Sequence, residues 1–203
     1  MNTATLRNNG WLATAILVAA YAVSFLDRQV VSLLVEPIKH DLAISNTQIG
    51  ILQGPAFGLF YAALGLPLGW FADRTHRVRM IAGAITLWSL ATLCCGLATS
   101  YPGLVAARLG VGVGEAALVP AAISLLAELF APEKRALPVS IFNCGVAIGA
   151  GLALALGGTF IAFSEHGASD LPLIGEWMAS RQAWQNVFVL CGLVGLPVAL
   201  LTL

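Results

Sequence analysis

Six long apolar segments, separated by short polar connections, dominate the chain. They cover approximately residues 11–36, 47–71, 80–98, 103–129, 136–162 and 184–203. Because roughly twenty apolar residues form a helix long enough to cross a bilayer, each segment predicts a membrane-spanning helix. Several segments are longer than this, and tilting or kinks at Pro55, Pro67 and Pro120 would accommodate the excess. The pattern predicts an all-α membrane protein with six transmembrane helices.

The composition supports a bilayer environment and narrows the chemistry. Hydrophobic residues make up 59% of the 203 residues and charged residues only 10%, whereas soluble domains carry about 25% charged residues. The formal net charge of zero argues against nucleic acid as a partner. No cysteine or histidine pattern has metal-ligand spacing, and no Ser/His or Cys/His constellation lies within the spans. We therefore expect neither a metal site nor a cofactor nor an enzyme.

Basic residues are distributed unequally between the two sides of the predicted bundle. If six helices alternate in direction, Lys39 and Arg181 fall on one side, and six basic residues fall on the other: Arg7, Arg74, Arg77, Arg79, Lys134 and Arg135. Cytoplasmic loops of membrane proteins carry the excess of Lys and Arg, so the N-terminus is predicted to be cytoplasmic. The first span carries charges and lacks a small-residue cleavage site, which indicates a retained helix rather than a signal peptide.

The fourth span contains the sequence Arg108-Leu-Gly-Val-Gly-Val-Gly-Glu115. Its two charges are seven residues apart and therefore share one helix face, roughly 10 Å apart. Each charge within a span costs on the order of 3 kcal/mol, so such residues usually face a bundle interior or a wet cavity. The intervening glycines allow another backbone to approach closely. Two interpretations remain open: a structural ion pair, or a polar cavity wall that binds protons or substrate, which we favour.

The first span adds Asp27 and Arg28 to this set of charges. From the helical rise, Asp27 lies roughly 14 Å from the outer end of its helix, while Arg108 and Glu115 lie roughly 8 and 18 Å from theirs. Asp27 could thus pair with Arg108 in one state and be released in another, and Arg28 could reach Glu115. A carboxylate that loses its arginine partner takes up a proton more readily, which would provide a proton-coupled switch. A fixed salt-bridge network needs the same residue types.

Two spans carry small residues at every fourth position. The second span has Gly50, Gly54, Gly58 and Ala62, and the fifth has Gly145, Gly149, Ala153 and Gly157. Such stripes let helices pack with close backbone contact. They could serve packing within this bundle, but two stripes on separate helices favour docking of a second bundle.

The connection after the second span reads Gly69-Trp-Phe-Ala-Asp73-Arg74-Thr-His-Arg77-Val-Arg79. This sequence resembles the loop between helices two and three of the major facilitator superfamily, with His76 where the family usually has glycine. The resemblance implies that Gly69, Asp73, Arg74 and Arg77 form a cytoplasmic gate motif, which latches two halves of a transporter together in the outward-facing state.

Further stretches look like the Spinster-type lipid transporters of this superfamily: Phe25-Leu-Asp27-Arg28, Gly114-Glu115-Ala116, and Ser140-Ile-Phe142 followed by Gly145. The resemblance implies a twelve-helix transporter built of 3+3 inverted repeats, of which residues 1–203 are the N-terminal half and the C-terminal half is absent. It also implies that Asp27, Arg28, Arg108 and Glu115 line the cavity and couple transport to protons. Tyr61 and Asn143 are weaker candidates for the cavity lining.

The expected function is proton-coupled secondary transport by alternating access, in a bacterial-type inner membrane. The expected substrate is an amphipathic lipid such as a lysolipid or sphingoid lipid, and the expected partner is a C-terminal six-helix half. A related transporter could instead carry small organic anions such as sugar acids, with Arg28 and Arg108 binding the carboxylate. A non-transporting membrane scaffold or sensor is the alternative from another class.

Overall fold

The computed structural model describes residues 9–162 and 175–203. Arg7 and residues 163–174, which lie between the fifth and sixth predicted spans, are outside these described residues. In the described part of the chain, all regular elements are helical, with a short 3₁₀ turn at Pro132–Lys134. The α-helices are α1 (Gly10–Leu33), α2 (Val35–Leu42), α3 (Asn46–Gln53), α4 (Pro55–Ala72), α5 (Arg77–Leu97), α6 (Tyr101–Ala116), α7 (Leu118–Leu129), α8 (Ala136–Ala162), α9 (Gly175–Ala179) and α10 (Ala183–Leu201).

Six helical stretches are long and apolar enough to cross a membrane, as predicted. They are Gly10–Leu33, Asn46–Ala72, Arg77–Leu97, Tyr101–Leu129, Pro132–Thr159 and Ala183–Leu201. The first ends three residues earlier than predicted, because the chain leaves the helix at Leu34 and continues in α2, which carries Glu36 and Lys39. The all-α fold with six membrane helices is confirmed.

Two of the spans consist of two helices separated by a break, and a proline lies next to each break. The second span is interrupted at Gly54, directly before Pro55. The fourth is interrupted at Ala117, where Pro120 has no N–H to donate to the carbonyl of Ala116. Pro67, the third predicted kink, lies within the continuous helix α4. The breaks lie close to Phe57 and Glu115, which belong to the candidate site.

The spans differ in how much of their surface this bundle covers. In the most apolar part of the first, third, fourth and sixth spans, half or more of the residues are buried. In the second and fifth spans, the corresponding buried fractions are 18% and 24%. The core between the well-buried spans contains the fully buried rings of Trp88, Trp184 and Phe188. The second and fifth spans therefore present large uncovered apolar faces.

The two stripes of small residues have different surroundings. A Cβ atom at Gly145 would lie 2.9 Å from the carbonyl oxygen of Val18, and one at Gly149 would overlap the backbone of Ala22. The fifth-span stripe thus packs on α1 within this bundle, and the prediction that it receives a second bundle is wrong. Its residues are small because the backbones of α1 and α8 are in contact. By contrast, a Cβ at Gly50 or Gly58 meets nothing within 4 Å.

Candidate functional site

Arg28 of α1 and Glu115 of α6 form an ion pair across the interior of the bundle. Arg28 Nε donates to Glu115 Oε2 at 2.5 Å. The Glu115 side chain has no exposed surface, whereas 21% of the Arg28 side chain is exposed. The fold therefore brings these two predicted residues together, with the carboxylate buried and the arginine side chain partly exposed.

The glycines of α6 determine where Glu115 lies. A Cβ at Gly112 would be 3.0 Å from the carbonyl oxygen of Phe57, and one at Gly114 would be 2.8 Å from the backbone nitrogen of Trp88. Because these positions lack side chains, α6 lies directly against the backbones of α4 and α5. The close backbone approach predicted from the sequence is confirmed, and it holds Glu115 in the interior.

Asp27 and Arg108 are almost completely buried, at 1% and 2% exposure. Asp27 Oδ2 accepts a hydrogen bond of 3.1 Å from Thr92 Oγ1 of α5. Among the described residues, no ion pair joins Asp27 to Arg108, and Asp27 Oδ1 and Arg108 Nε and Nη1 have no hydrogen-bond partner. The predicted pairing of Asp27 with Arg108 is therefore not formed in this structure, and the exchange between a paired and a released state stays a prediction.

Aromatic rings surround the guanidinium of Arg28. Its Cζ atom lies 4.6 Å from the ring centroid of Tyr61, 4.7 Å from that of Phe57 and 5.4 Å from that of Phe25. Aromatic faces attract cations at such distances. Tyr61, a weak candidate from the sequence, is therefore part of the site. Phe57 is not among the predicted residues, although its spacing of four from Tyr61 on one helix face would have indicated it.

Asn143 is predicted from the sequence as a cavity residue, whereas Thr92 is not. Asn143, the other weak candidate, donates its side-chain N–H to the carbonyl of Val139 in its own helix. Thr92 is not predicted from the sequence, yet it contacts Asp27. Its signal is a stripe of hydroxyl residues at every third position of an apolar helix, Thr86, Ser89 and Thr92.

The predicted gate motif is bound to the fourth span by a chain of polar contacts. Ser124 Oγ donates to Asp73 Oδ1 at 2.8 Å and accepts from Arg77 Nε at 2.7 Å. Arg77 Nη1 also pairs with Glu128 Oε2 at 3.0 Å. Ser124 and Glu128 are not predicted from the sequence. Their signal is two polar residues, one helical turn apart, near the end of an apolar span. The connection after the second span is thus fixed to α7.

The remaining motif residues lie beside this network. The Arg74 guanidinium lies 3.8 Å from the ring centroid of Trp70, and a Cβ at Gly69 would be 3.5 Å from that of Pro120. His76 has φ −74°, a conformation open to any residue. The turn therefore does not require the glycine usual in the family. In the described part of the chain, no group of three or more His, Cys, Asp or Glu residues is placed to hold a metal ion.

Comparison with known proteins agrees with this arrangement of helices. The sequence profile described as Major Facilitator Superfamily matches residues 17–203. The chain belongs to the major facilitator superfamily. It is accordingly an integral membrane protein, and the superfamily consists of transporters rather than enzymes.

Within the superfamily, the chain is similar to several bacterial proteins. It is 33% identical over 194 residues to an MFS-type efflux pump of Mycolicibacterium smegmatis, covering 95% of this chain and 41% of that protein. It is 34% identical over 172 residues to the 3-(3-hydroxy-phenyl)propionate transporter of Escherichia coli, with coverage of 84% and 38%. The probable L-galactonate transporter of the same organism is 27% identical over 188 residues, with coverage of 93% and 37%.

Among solved structures, the fold matches a bacterial homolog to the human lysosomal transporter Spinster, in an inward-facing and occupied conformation. The TM-score is 0.86 at 34% sequence identity, and the match covers 93% of this chain and 42% of that one. The predicted likeness to Spinster-type proteins is therefore confirmed. The chain spans about two-fifths of the length of the curated relatives described above.

Proposed function

We propose that this chain is the N-terminal half of a proton-coupled secondary transporter that moves an amphipathic anion by alternating access. The observation that carries the proposal is the Arg28–Glu115 ion pair, in which a buried carboxylate binds a partly exposed arginine whose guanidinium lies among aromatic rings. Charged residues within a membrane protein are costly, and they commonly mark substrate or proton pathways.

The coupling follows from competition for one guanidinium. While Glu115 is ionised, it neutralises Arg28. When Glu115 takes up a proton, the pair loses its charge attraction, and Arg28 becomes available to the anionic group of a substrate. Arginine binds carboxylates and phosphates through parallel N–H donors. Proton and anion would therefore bind together, and Asp27 and Arg108 supply a second, more deeply buried pair of charges.

The substrate class follows from the surroundings of Arg28. Phe25, Phe57 and Tyr61 offer mostly apolar ring surface next to the cation. A negatively charged headgroup on Arg28 with an apolar body against these rings suits an amphipathic anion such as a lysolipid or a phosphorylated sphingoid lipid. The resemblance of the sequence to Spinster-type lipid transporters supports the same class.

Small organic anions such as sugar acids are the second candidate. The partly exposed Arg28 side chain could bind a carboxylate, and the probable L-galactonate transporter is among the relatives. Sugar hydroxyls need polar partners when they are buried, and the aromatic surroundings of Arg28 supply few. The geometry therefore favours the amphipathic substrate.

The rest of the transporter would be a C-terminal six-helix half that docks on the uncovered faces of the second and fifth spans. The length of this chain supports the proposal, since it spans about two-fifths of the length of its relatives. The excess of basic residues on the side of the gate motif supports a cytoplasmic N-terminus. Bacterial relatives support a bacterial-type inner membrane.

Proton-driven uptake into proteoliposomes tests the proposal. The chain would be reconstituted alone and with a C-terminal half from the Spinster homolog, with lysophosphatidic acid or galactonate as the labelled substrate. We expect uptake of lysophosphatidic acid with both halves present, and loss of proton-driven uptake in Glu115→Gln with substrate exchange retained. Glu133→Gln, an exposed residue in the turn before α8, is the matched control and should behave as wild type.

Other results would lead to other functions. Uptake of galactonate but not of lysophosphatidic acid would establish the sugar-acid alternative. Undiminished proton-driven uptake in Glu115→Gln would contradict the coupling role of this residue. Correctly folded protein that moves neither substrate in either preparation would favour the scaffold or sensor.

A further inference from the structure

The four charged residues of the site fall into two groups with different surroundings. In the Arg28–Glu115 pair, the arginine side chain is partly exposed. Asp27 is almost fully buried, and the hydrogen bond from Thr92 is the contact that the described residues provide to its carboxylate. Thr92 belongs to α5, whereas Asp27 belongs to α1, so this bond also joins two helices of the bundle core.

We propose that Thr92 is a positioning residue that holds the Asp27 carboxyl group in place and sets its affinity for a proton. This inference rests on the proposed proton-coupled function. Thr92 and Asp27 are both almost completely buried. Bulk water therefore does not compete for the hydrogen bond between them. A hydrogen bond to a charged group in such surroundings is stronger than one at a surface.

Several groups besides Thr92 act on Asp27, and the experiment has to separate their effects. The titratable and charged groups around it in the described residues are Arg28 on its own helix, Cys95 on α5, Arg108 and Glu115 on α6, and Cys191 on α10. None of these is changed by a substitution at Thr92. An effect of that substitution on Asp27 therefore reports on the hydroxyl.

The bond also gives Thr92 a specific geometric role. Asp27 Oδ1 and Arg108 Nε and Nη1 lack hydrogen-bond partners. Thr92 binds the other carboxylate oxygen, Oδ2, from the α5 side. Without the hydroxyl, the ionised carboxylate would lose this donor, and the protonated form would be favoured.

Infrared titration of the 203-residue chain in lipid nanodiscs tests this without requiring transport. The C=O band of the protonated Asp27 side chain would be assigned by its loss in Asp27→Asn and followed as a function of pH. Thr92→Val, which keeps the shape but removes the hydroxyl, should raise the proton affinity of Asp27 about tenfold, because the ionised carboxylate loses its hydrogen-bond donor. Thr92→Ser, which keeps the donor, should titrate as wild type.

Two controls keep the outcome clear. Ser89→Ala removes a hydroxyl one turn away on the same helix and should leave the Asp27 titration unchanged. Thr92→Ala serves as a second donor-free variant in case the valine variant does not fold. An unchanged titration in the donor-free variants would overturn the inference, as would an equal shift in Thr92→Ser. If the proposed transport function fails while Thr92→Val still shifts the titration, the positioning role stands by itself.

Discussion

At the scale of single residues, Arg28 connects the two chemical properties of the site. One side of its guanidinium binds the buried Glu115 carboxylate, and its Cζ atom lies within 5.4 Å of three ring centroids. A lysine would have no planar group to place between a carboxylate and aromatic faces. The site therefore depends on the shape of arginine as well as on its charge.

Tyr61 should contribute to substrate binding through its ring rather than through its hydroxyl. Tyr61→Leu removes a face that lies 4.6 Å from Arg28, so we expect KM for proton-driven uptake to rise about fivefold with little change in kcat. Tyr61→Phe keeps the ring and should remain close to wild type. A phenylalanine variant as impaired as the leucine variant would mean that the hydroxyl is the important group.

At the scale of helices, glycine positions decide which faces meet. On α8, Gly149 lies against the backbone of Ala22, whereas a Cβ at Gly151 meets nothing within 4 Å. The two glycines are two residues apart on one helix and therefore face different directions. Only one of them is required for packing within the bundle.

We expect Gly149→Leu to destabilise the bundle by about 2 kcal/mol or more, because α1 and α8 would have to separate. Gly151→Leu should leave stability unchanged. The thermal unfolding midpoint of each variant of the isolated chain in detergent measures these effects on stability. Equal midpoints for the two variants would contradict the direct contact between α1 and α8.

At the scale of the whole molecule, the second span has an uncovered face that includes Leu59, Leu66 and Trp70, with exposures of 61–85%. The stripe residue Gly58 lies on the same span in open surroundings. Apolar faces of this kind can contact lipid or a second bundle. The proposed C-terminal half would require the close approach that glycines allow.

Gly58→Leu should therefore leave the isolated chain as stable as wild type and reduce its copurification with the C-terminal half severalfold. Gly83→Leu is the matched control, since Gly83 also lies in open surroundings but on the third span and outside the stripe. Full association of the Gly58 variant would show that this stripe does not receive the second half.

The sequence by itself determined the six spans, the breaks near Pro55 and Pro120, and the identity of the four intramembrane charges. These follow from segment length, from the missing proline N–H and from the cost of burying charge, which are all local properties. Counting helix depth from the rise per residue also indicated that Arg28 could reach Glu115. The same count allowed a pairing of Asp27 with Arg108, which is absent among the described residues.

Only the tertiary structure decided which residues surround these charges. Thr92 contacts Asp27, and Ser124 contacts both Asp73 and Arg77. In each of these contacts, the two residues are about fifty or more positions apart in the sequence. A helical pattern gives the period of a face but does not state which helix that face meets. For the same reason, the glycine stripe of the fifth span gave no indication that it packs on α1 rather than on a second bundle.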